Sequence, residues 1–154
     1  MRDVRLRMLE DSPEAYSTKL EDAQAYDFSV WEGRAAAQHA GFDEASFLAF
    51  VHDKAVGSVT GIAMTPDTRQ LVAMWVDPAY RRLGIGRGLV DALVRWVWRG
   101  PADRLSLWVV DTNRPAKMLY RELGFEPTEE AQPLPSHPEL RETHWELTRP
   151  GSAR

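Results

Sequence analysis

The sequence predicts an α/β (α+β) domain with strands and helices interleaved along the chain, on three observations. Residues 71–93 read as an apolar strand, a glycine turn and an amphipathic helix in immediate succession. Ahead of them, residues 46–52 and 55–64 are two strand-like runs with turn residues at their ends, which together with 71–76 form a meander. Behind them, residues 104–110 form another strand, followed by a helix whose apolar positions Ala116, Leu119, Tyr120 and Leu123 fall on one face. A chain of 154 residues is expected to form a single domain, 1–154. That size buries roughly 70% of the surface its unfolded form exposes, so no disulfide or metal staple is needed.

Bulk chemistry narrows the function classes. The net charge is −4, whereas a nucleic-acid binder carries a basic excess, so no nucleic-acid partner is expected. There is no cysteine, which excludes disulfides and a cysteine nucleophile. His39, His52, His137 and His144 are too far apart in sequence to match a metal-ligand spacing, so no metal is expected. No run is apolar for long enough to span a membrane, and the N-terminal residues lack the apolar segment of a signal peptide. The expectation is a cytoplasmic protein with no membrane partner.

Taken in order, residues 4–8 alternate Val4, Leu6 and Met8 with Arg5 and Arg7, which predicts a strand with one wet face near a sheet edge. Ser12-Pro13-Glu14 predicts a helix start, with a cap, a proline in the first turn and an acid at the positive end of the dipole, running to about Glu21. Ser29 and Glu32 form a capping box for a second helix, which passes through Ala35-Ala36-Ala37 and stops near Gly41. The strands over 46–52 and 55–64 are joined by a tight turn at Asp53-Lys54, and Thr65-Pro66-Asp67-Thr68 turns the chain into the next strand. The helix after the glycine turn places Leu89, Val90, Leu93, Val94 and Val97 on one face and ends at Gly100-Pro101. Both alternate sets of residues 104–110 are largely apolar, as in a central, doubly covered strand. Thr112 or Asn113 caps the following helix, Gly124 ends it, and Phe125 opens another strand. Three prolines in 131–139 predict an irregular loop, 144–148 a last strand, and the tail from Pro150 is expected to fray.

The glycine turn, Arg81-Arg82-Leu83-Gly84-Ile85-Gly86, has chemistry of its own. Its glycines let the backbone turn tightly and let a ligand approach without meeting a Cβ. The first N–H groups of the helix have no internal partner, and with the helix dipole they suit a phosphate. Arg81, Arg82 and Arg87 add full charges in an otherwise acidic chain. The Gly-Lys-Ser/Thr of a nucleotide P-loop is absent, and the dinucleotide fingerprint fails because Leu89 stands at its last position and Gly88 is one residue early.

The pattern that is present is Arg-x-x-Gly-x-Gly after a Val-Asp-Pro strand end. It resembles the pyrophosphate-binding motif of the GNAT superfamily of acyl-CoA-dependent N-acyltransferases. Downstream, residues 113–125 read Asn-x-x-Ala-x-x-x-Tyr-x-x-x-Gly-Phe after a strand, which resembles that family's second motif in the family's order. The resemblance spans residues 4–148 and is weakest over 10–45 and 131–143. It implies a mixed, mostly antiparallel central sheet with helices on both faces. The strands at 71–76 and 104–110 would splay apart, and the pantetheine arm of acetyl-CoA would lie between them on the backbone of Met74, Trp75 and Val76. The pyrophosphate would sit on the N–H groups of Arg82, Leu83, Gly84, Ile85, Gly86 and Arg87, with Arg81 or Arg82 steering it. Asn113 and Ala116 would meet the cofactor arm, and Tyr120 would point its hydroxyl at the thioester sulfur.

The implied partners are acetyl-CoA and an amine acceptor on a small molecule or a protein, with a homodimer left open. An amine attacking an acetyl carbonyl needs a donor for the developing oxyanion, and a free strand N–H near Trp75 or Val76 fits. The departing thiolate needs a proton, and a phenol can supply it. Without cysteine, transfer is expected to be direct, in a ternary complex. Many members of the family place a carboxylate on the strand that is 71–76 here. This chain has none before Asp77, which leaves Glu10, Glu32 and Asp111 as substitute bases, or water acting on an already neutral amine. Trp31 and Trp75 are candidates for the acceptor pocket. The missing strand acid also admits a non-catalytic acyl-CoA-binding module, and the glycine turn a nucleotide-binding domain.

Overall fold

The computed structural model describes residues 2–16, 19 and 43–152. The helix expected over 29–41, the continuation of the one from Ser12, Trp31 and Glu32 lie outside them. The described elements are α1 (Arg2–Asp11), a 3-10 turn at Pro13–Ala15, β1 (Glu44–Val51), β2 (Lys54–Thr65) and β3 (Thr68–Val76). A second 3-10 turn at Pro78–Tyr80 leads to α2 (Ile85–Arg99), β4 (Arg104–Val110), α3 (Arg114–Glu122), β5 (Glu126–Leu134) and β6 (His137–Thr148). The strands form one sheet in the order β1-β2-β3-β4-β6-β5. Every neighbouring pair is antiparallel except β3 and β4, which are parallel, so the sheet is mixed and mostly antiparallel.

Side chains alternate across this sheet and divide the core in two. Val59, Leu71, Leu105, Leu107 and Val109 face α2 and α3, joining Leu89, Leu93, Val97 and Tyr120 in the main core. Trp75 faces the other way and packs with Val4 and Met8 of α1. Helices therefore cover both faces. A Cβ on Gly61 would stand 2.6 Å from Leu93 Cδ1, so glycine is what lets α2 lie this close to β2. No helix among the described residues is long and apolar enough to cross a membrane.

Three expectations are corrected. Residues 4–8 are helical, because Val4 and Met8 also satisfy i, i+4 spacing and the next buried residue is Leu9, which an alternating strand would expose. Residues 131–139 are not a loop: β5 and β6 pair through most of this stretch and turn at 135–136. β5 is an edge strand, where a proline's missing N–H costs little, and Pro138 precedes the part of β6 that pairs with β4, which begins at Glu142. The β1–β2 turn is at 52–53, one residue earlier than expected, with His52 taking φ 52°.

Candidate active site

β3 and β4 are paired only over Thr68–Arg104, Arg69–Leu105 and Gln70–Ser106. Beyond Gln70 they diverge. The β2–β3 register also slips here, between Ser58 and Thr60, because β3 carries an extra residue at Ala73, whose φ is 54°. Such a bulge bends its strand and raises the local twist, which turns the end of β3 away from β4. A cleft of about 1180 Å³ opens through the gap.

Backbone direction follows from pairing parity. Asp77 N–H donates to Val56 O of β2 at 2.7 Å. The peptide groups of Val76 therefore turn the other way, into the gap, while those of Trp75 face β2. Val76 O accepts from Arg81 Nε (2.8 Å) and Met74 O from the Tyr16 hydroxyl (2.6 Å). Of the two strand donors expected for an oxyanion, Val76 N–H has the direction for it and Trp75 N–H does not.

After β3, Asp77 accepts from Ala79 N–H and pairs with Arg7 and Lys54, and the Ala79 bond leads in holding its carboxyl below the usual range. The chain then reverses through two left-handed residues, Arg82 (φ 63°) and Gly84 (φ 83°). Gly84 caps α2, and the first helical bond runs from Gly88 N–H to Gly84 O at 3.0 Å. Gly88 is thus spent inside the helix, and the N–H groups of Ile85, Gly86 and Arg87 are the ones left without a helical partner. A Cβ on Gly86 would stand 3.2 Å from Met74 Cε and 3.4 Å from Leu119 Cδ2, against the cleft floor.

The three arginines have different fates. Arg81 is tied to Val76 O and to Asp11 on α1. Arg87 pairs with Glu122 of α3 at 2.7 Å. Among the described residues Arg82 has no carboxylate partner, and it lines the cleft. Leu83 alone of the expected cofactor contacts does not line it; its side chain is 69% exposed, leaving only its backbone to contribute. Trp75 lines the cleft, but its ring is buried against α1 and its Nε1 donates to Asp11 at 3.0 Å. Burial pushes the Asp11 carboxyl up, but hydrogen bonds from Ser12, Trp75 and Arg81 outweigh that and hold it below its ordinary value.

On the opposite wall, Asn113 lines the cleft and caps α3, its side chain accepting from Ala116 N–H at 3.3 Å. Two turns on is Tyr120, 5% exposed, its ring edge-on to Phe125 with centroids 5.6 Å apart. Among the described residues its hydroxyl has no hydrogen-bond partner, and the residue lines the cleft. Burial pushes this phenol above its ordinary pKa, so it stays protonated at neutral pH. Tyr16, which the sequence reading passed over, lines the same cleft; burial raises its phenol too, with Tyr120 adding to the shift. Its carbonyl accepts from Ser136 Oγ in the β5–β6 turn, so Tyr16 bridges that turn and β3.

The proposed bases fare poorly. Glu10 is exposed on α1 and Asp111 is engaged by Thr143 (2.6 Å) and Arg141 (3.6 Å), and neither lines the cleft. A carboxylate that does line it is Glu142 of β6, 5% exposed, with Gln132 Nε2 donating to its Oε1 at 2.8 Å. It falls between the loop expected over 131–139 and the strand expected over 144–148, so the sequence reading assigned it to no element.

The sequence and the fold have counterparts. The chain is 30% identical over 128 residues to a mycothiol acetyltransferase of Beutenbergia cavernae, covering 80% of this chain and 39% of that protein. It is 36% identical over 83 residues to the human N-alpha-acetyltransferase 30, covering 51% of this chain and 23% of that one. The chain thus spans well under half the length of either relative. Among solved structures, yncA from Salmonella typhimurium with its cofactor acetyl-CoA superposes with a TM-score of 0.78 over 99% of this chain and 90% of that one, at 15% identity, a likeness of fold. The model of the acetyltransferase (GNAT) family matches residues 5–125, and the chain belongs to that family.

Proposed function

We propose that this chain transfers an acetyl group from acetyl-CoA to a primary amine, directly and in a ternary complex. The observation that carries this is the buried phenol of Tyr120, without a hydrogen-bond partner among the described residues, on the wall of the β3–β4 gap, in one cleft with the amides of Ile85, Gly86 and Arg87, which have no partner within the helix. The amides and Arg82 would take the diphosphate, the helix dipole adding to their attraction. The pantetheine arm would run along β3 where Met74 and Val76 face the gap. The amine attacks the carbonyl carbon, Val76 N–H stabilises the oxyanion, and the C–S bond breaks as Tyr120 gives its proton to the thiolate. With no cysteine in the chain, no thioester can form on it.

The test is thiol release from acetyl-CoA across a panel of primary amines, with CoA binding followed by calorimetry. Turnover that depends on the amine is expected. Binding without turnover on any amine would leave a non-catalytic acyl-CoA-binding module, and stabilisation by NAD or ATP but not by CoA would point to a nucleotide site.

A further inference from the structure

Glu142 is a buried carboxylate with one neutral side-chain partner among the described residues. Removing a carboxylate from water is costly unless a charge or several hydrogen bonds compensate. Gln132 supplies one bond to Oε1. Oε2 has no side-chain donor among the described residues, and the nearby Arg141 turns to Asp111 instead. Glu142 pairs in register with Val110, the last residue of β4, where β3 has already departed. Even-numbered residues of β4 and their β6 partners face α1, whereas Tyr120 reaches the gap from the α3 side. The two groups therefore approach one cleft from opposite faces of the sheet, which leaves room for an acceptor on one side and a thioester on the other.

Resting on the acetyltransferase reading above, we propose that Glu142, held by Gln132, receives the acceptor: it binds a primary ammonium group and removes its proton. The acceptor class is thus a cationic amine, with Tyr16 and Trp108 lining the cleft beside it. One proton passes from the ammonium to the Glu142 carboxylate and on to solvent. The freed lone pair forms the C–N bond and the C–S bond breaks. The thiolate takes the Tyr120 proton, and the second nitrogen proton, lost as the amide forms, restores the phenol. The balance is ammonium plus thioester giving amide, thiol and one proton. The other charged or titratable groups that share the cleft are Arg5, Tyr16 and Tyr120, with Tyr80, Arg81, Arg82, Arg87 and Glu122 at the glycine-turn end.

The variant is Glu142→Gln, isosteric and able to keep the Gln132 contact, assayed with benzylamine, protonated at neutral pH, and with aniline, which is neutral there. With benzylamine kcat/KM is expected to fall about 10²-fold or more, the usual range for a lost general base. CoA affinity and melting temperature stay unchanged, and the loss with aniline is much smaller. Equal losses with both amines, or no loss with benzylamine, overturn the proposal. Should Glu142→Gln melt early, Gln132→Ala on the exposed edge strand repeats the comparison, a benzylamine-selective loss again supporting and a uniform one refuting. A wild-type chain that binds CoA but turns over no amine of the panel defeats the enzyme reading itself, which separates that failure from this one; where other amines of the panel react, a protonated and a neutral one of those form the same pair.

Discussion

At the scale of single residues, the site separates side chains that meet a ligand from side chains that hold the frame. Tyr120→Phe removes only an oxygen, and the edge-on contact with Phe125 keeps the ring in place. We expect kcat to fall by about 10²-fold or more, the usual effect of losing a general acid, with CoA affinity unchanged by calorimetry; an unchanged kcat would end the acid role. Arg82 and Arg81 divide the same way although they are adjacent. Arg82→Asn removes the charge while keeping a residue that tolerates φ 63°. It should weaken CoA binding several-fold at low salt, reduce its salt dependence, and leave binding of acetyl-pantetheine, which lacks the diphosphate, untouched. Arg81 bonds Val76 O and Asp11, so its loss should lower the melting temperature more than it changes the salt dependence.

At the scale of elements, the start of α2 is where, on the proposed function, backbone geometry would do the binding. Gly86→Val would put methyls against Met74 Cε and Leu119 Cδ2 on the cleft floor. Both neighbours are ends of flexible side chains, so the helix should form and the melting temperature change little, while CoA affinity drops by about tenfold or more, a cost of about 1.4 kcal/mol. A variant that binds CoA normally would move the diphosphate off this turn. This element was legible in the sequence because its signals are local: a proline-bounded strand end, two glycines and an apolar face of period 3.6. Asn113 as a cap and Tyr120 on the inner face of α3 were legible for the same reason. Val4 and Met8 were not, since positions four apart suit both periods and only the burial of Leu9 decides between them. The end of β5 hid behind Pro133, because a proline is tolerated or forbidden by edge position, a property of the whole sheet. Tyr16 and Glu142 were missed because each acquires its role from contacts distant in sequence: Tyr16 with Met74 and Ser136, Glu142 through register with Val110.

At the scale of the whole molecule, the cleft exists because β3 and β4 are joined at one end and apart at the other. Asp67 is the fastening at the joined end. Its carbonyl accepts from Asp103 and Arg104 N–H (3.0 and 3.2 Å), and its carboxylate from Arg104 Nη2 at 2.9 Å and from Thr65 and Thr68. The Thr65 hydrogen bond, followed by Arg104, lowers its pKa from 3.8 to about 2. A folded pKa below the unfolded one means that the folded carboxylate holds its proton less tightly. The stability this gives is complete above about 3.8 and is lost as pH falls towards 2. Asp67→Asn removes that titration but keeps an acceptor for the hydroxyls. The wild-type melting temperature should therefore fall more steeply than the variant's between pH 4 and pH 2, and the two slopes should agree above pH 5, by scanning calorimetry. The carboxylate is half exposed, so the difference should shrink in high salt. Asp11 and Asp77, also lowered, are common to both proteins and cancel in the comparison. Parallel slopes throughout would mean that backbone bonds, from Asp67 O to Asp103 and Arg104 and along the three-residue β3–β4 ladder, hold the closed end of the cleft and that the carboxylate adds nothing to them.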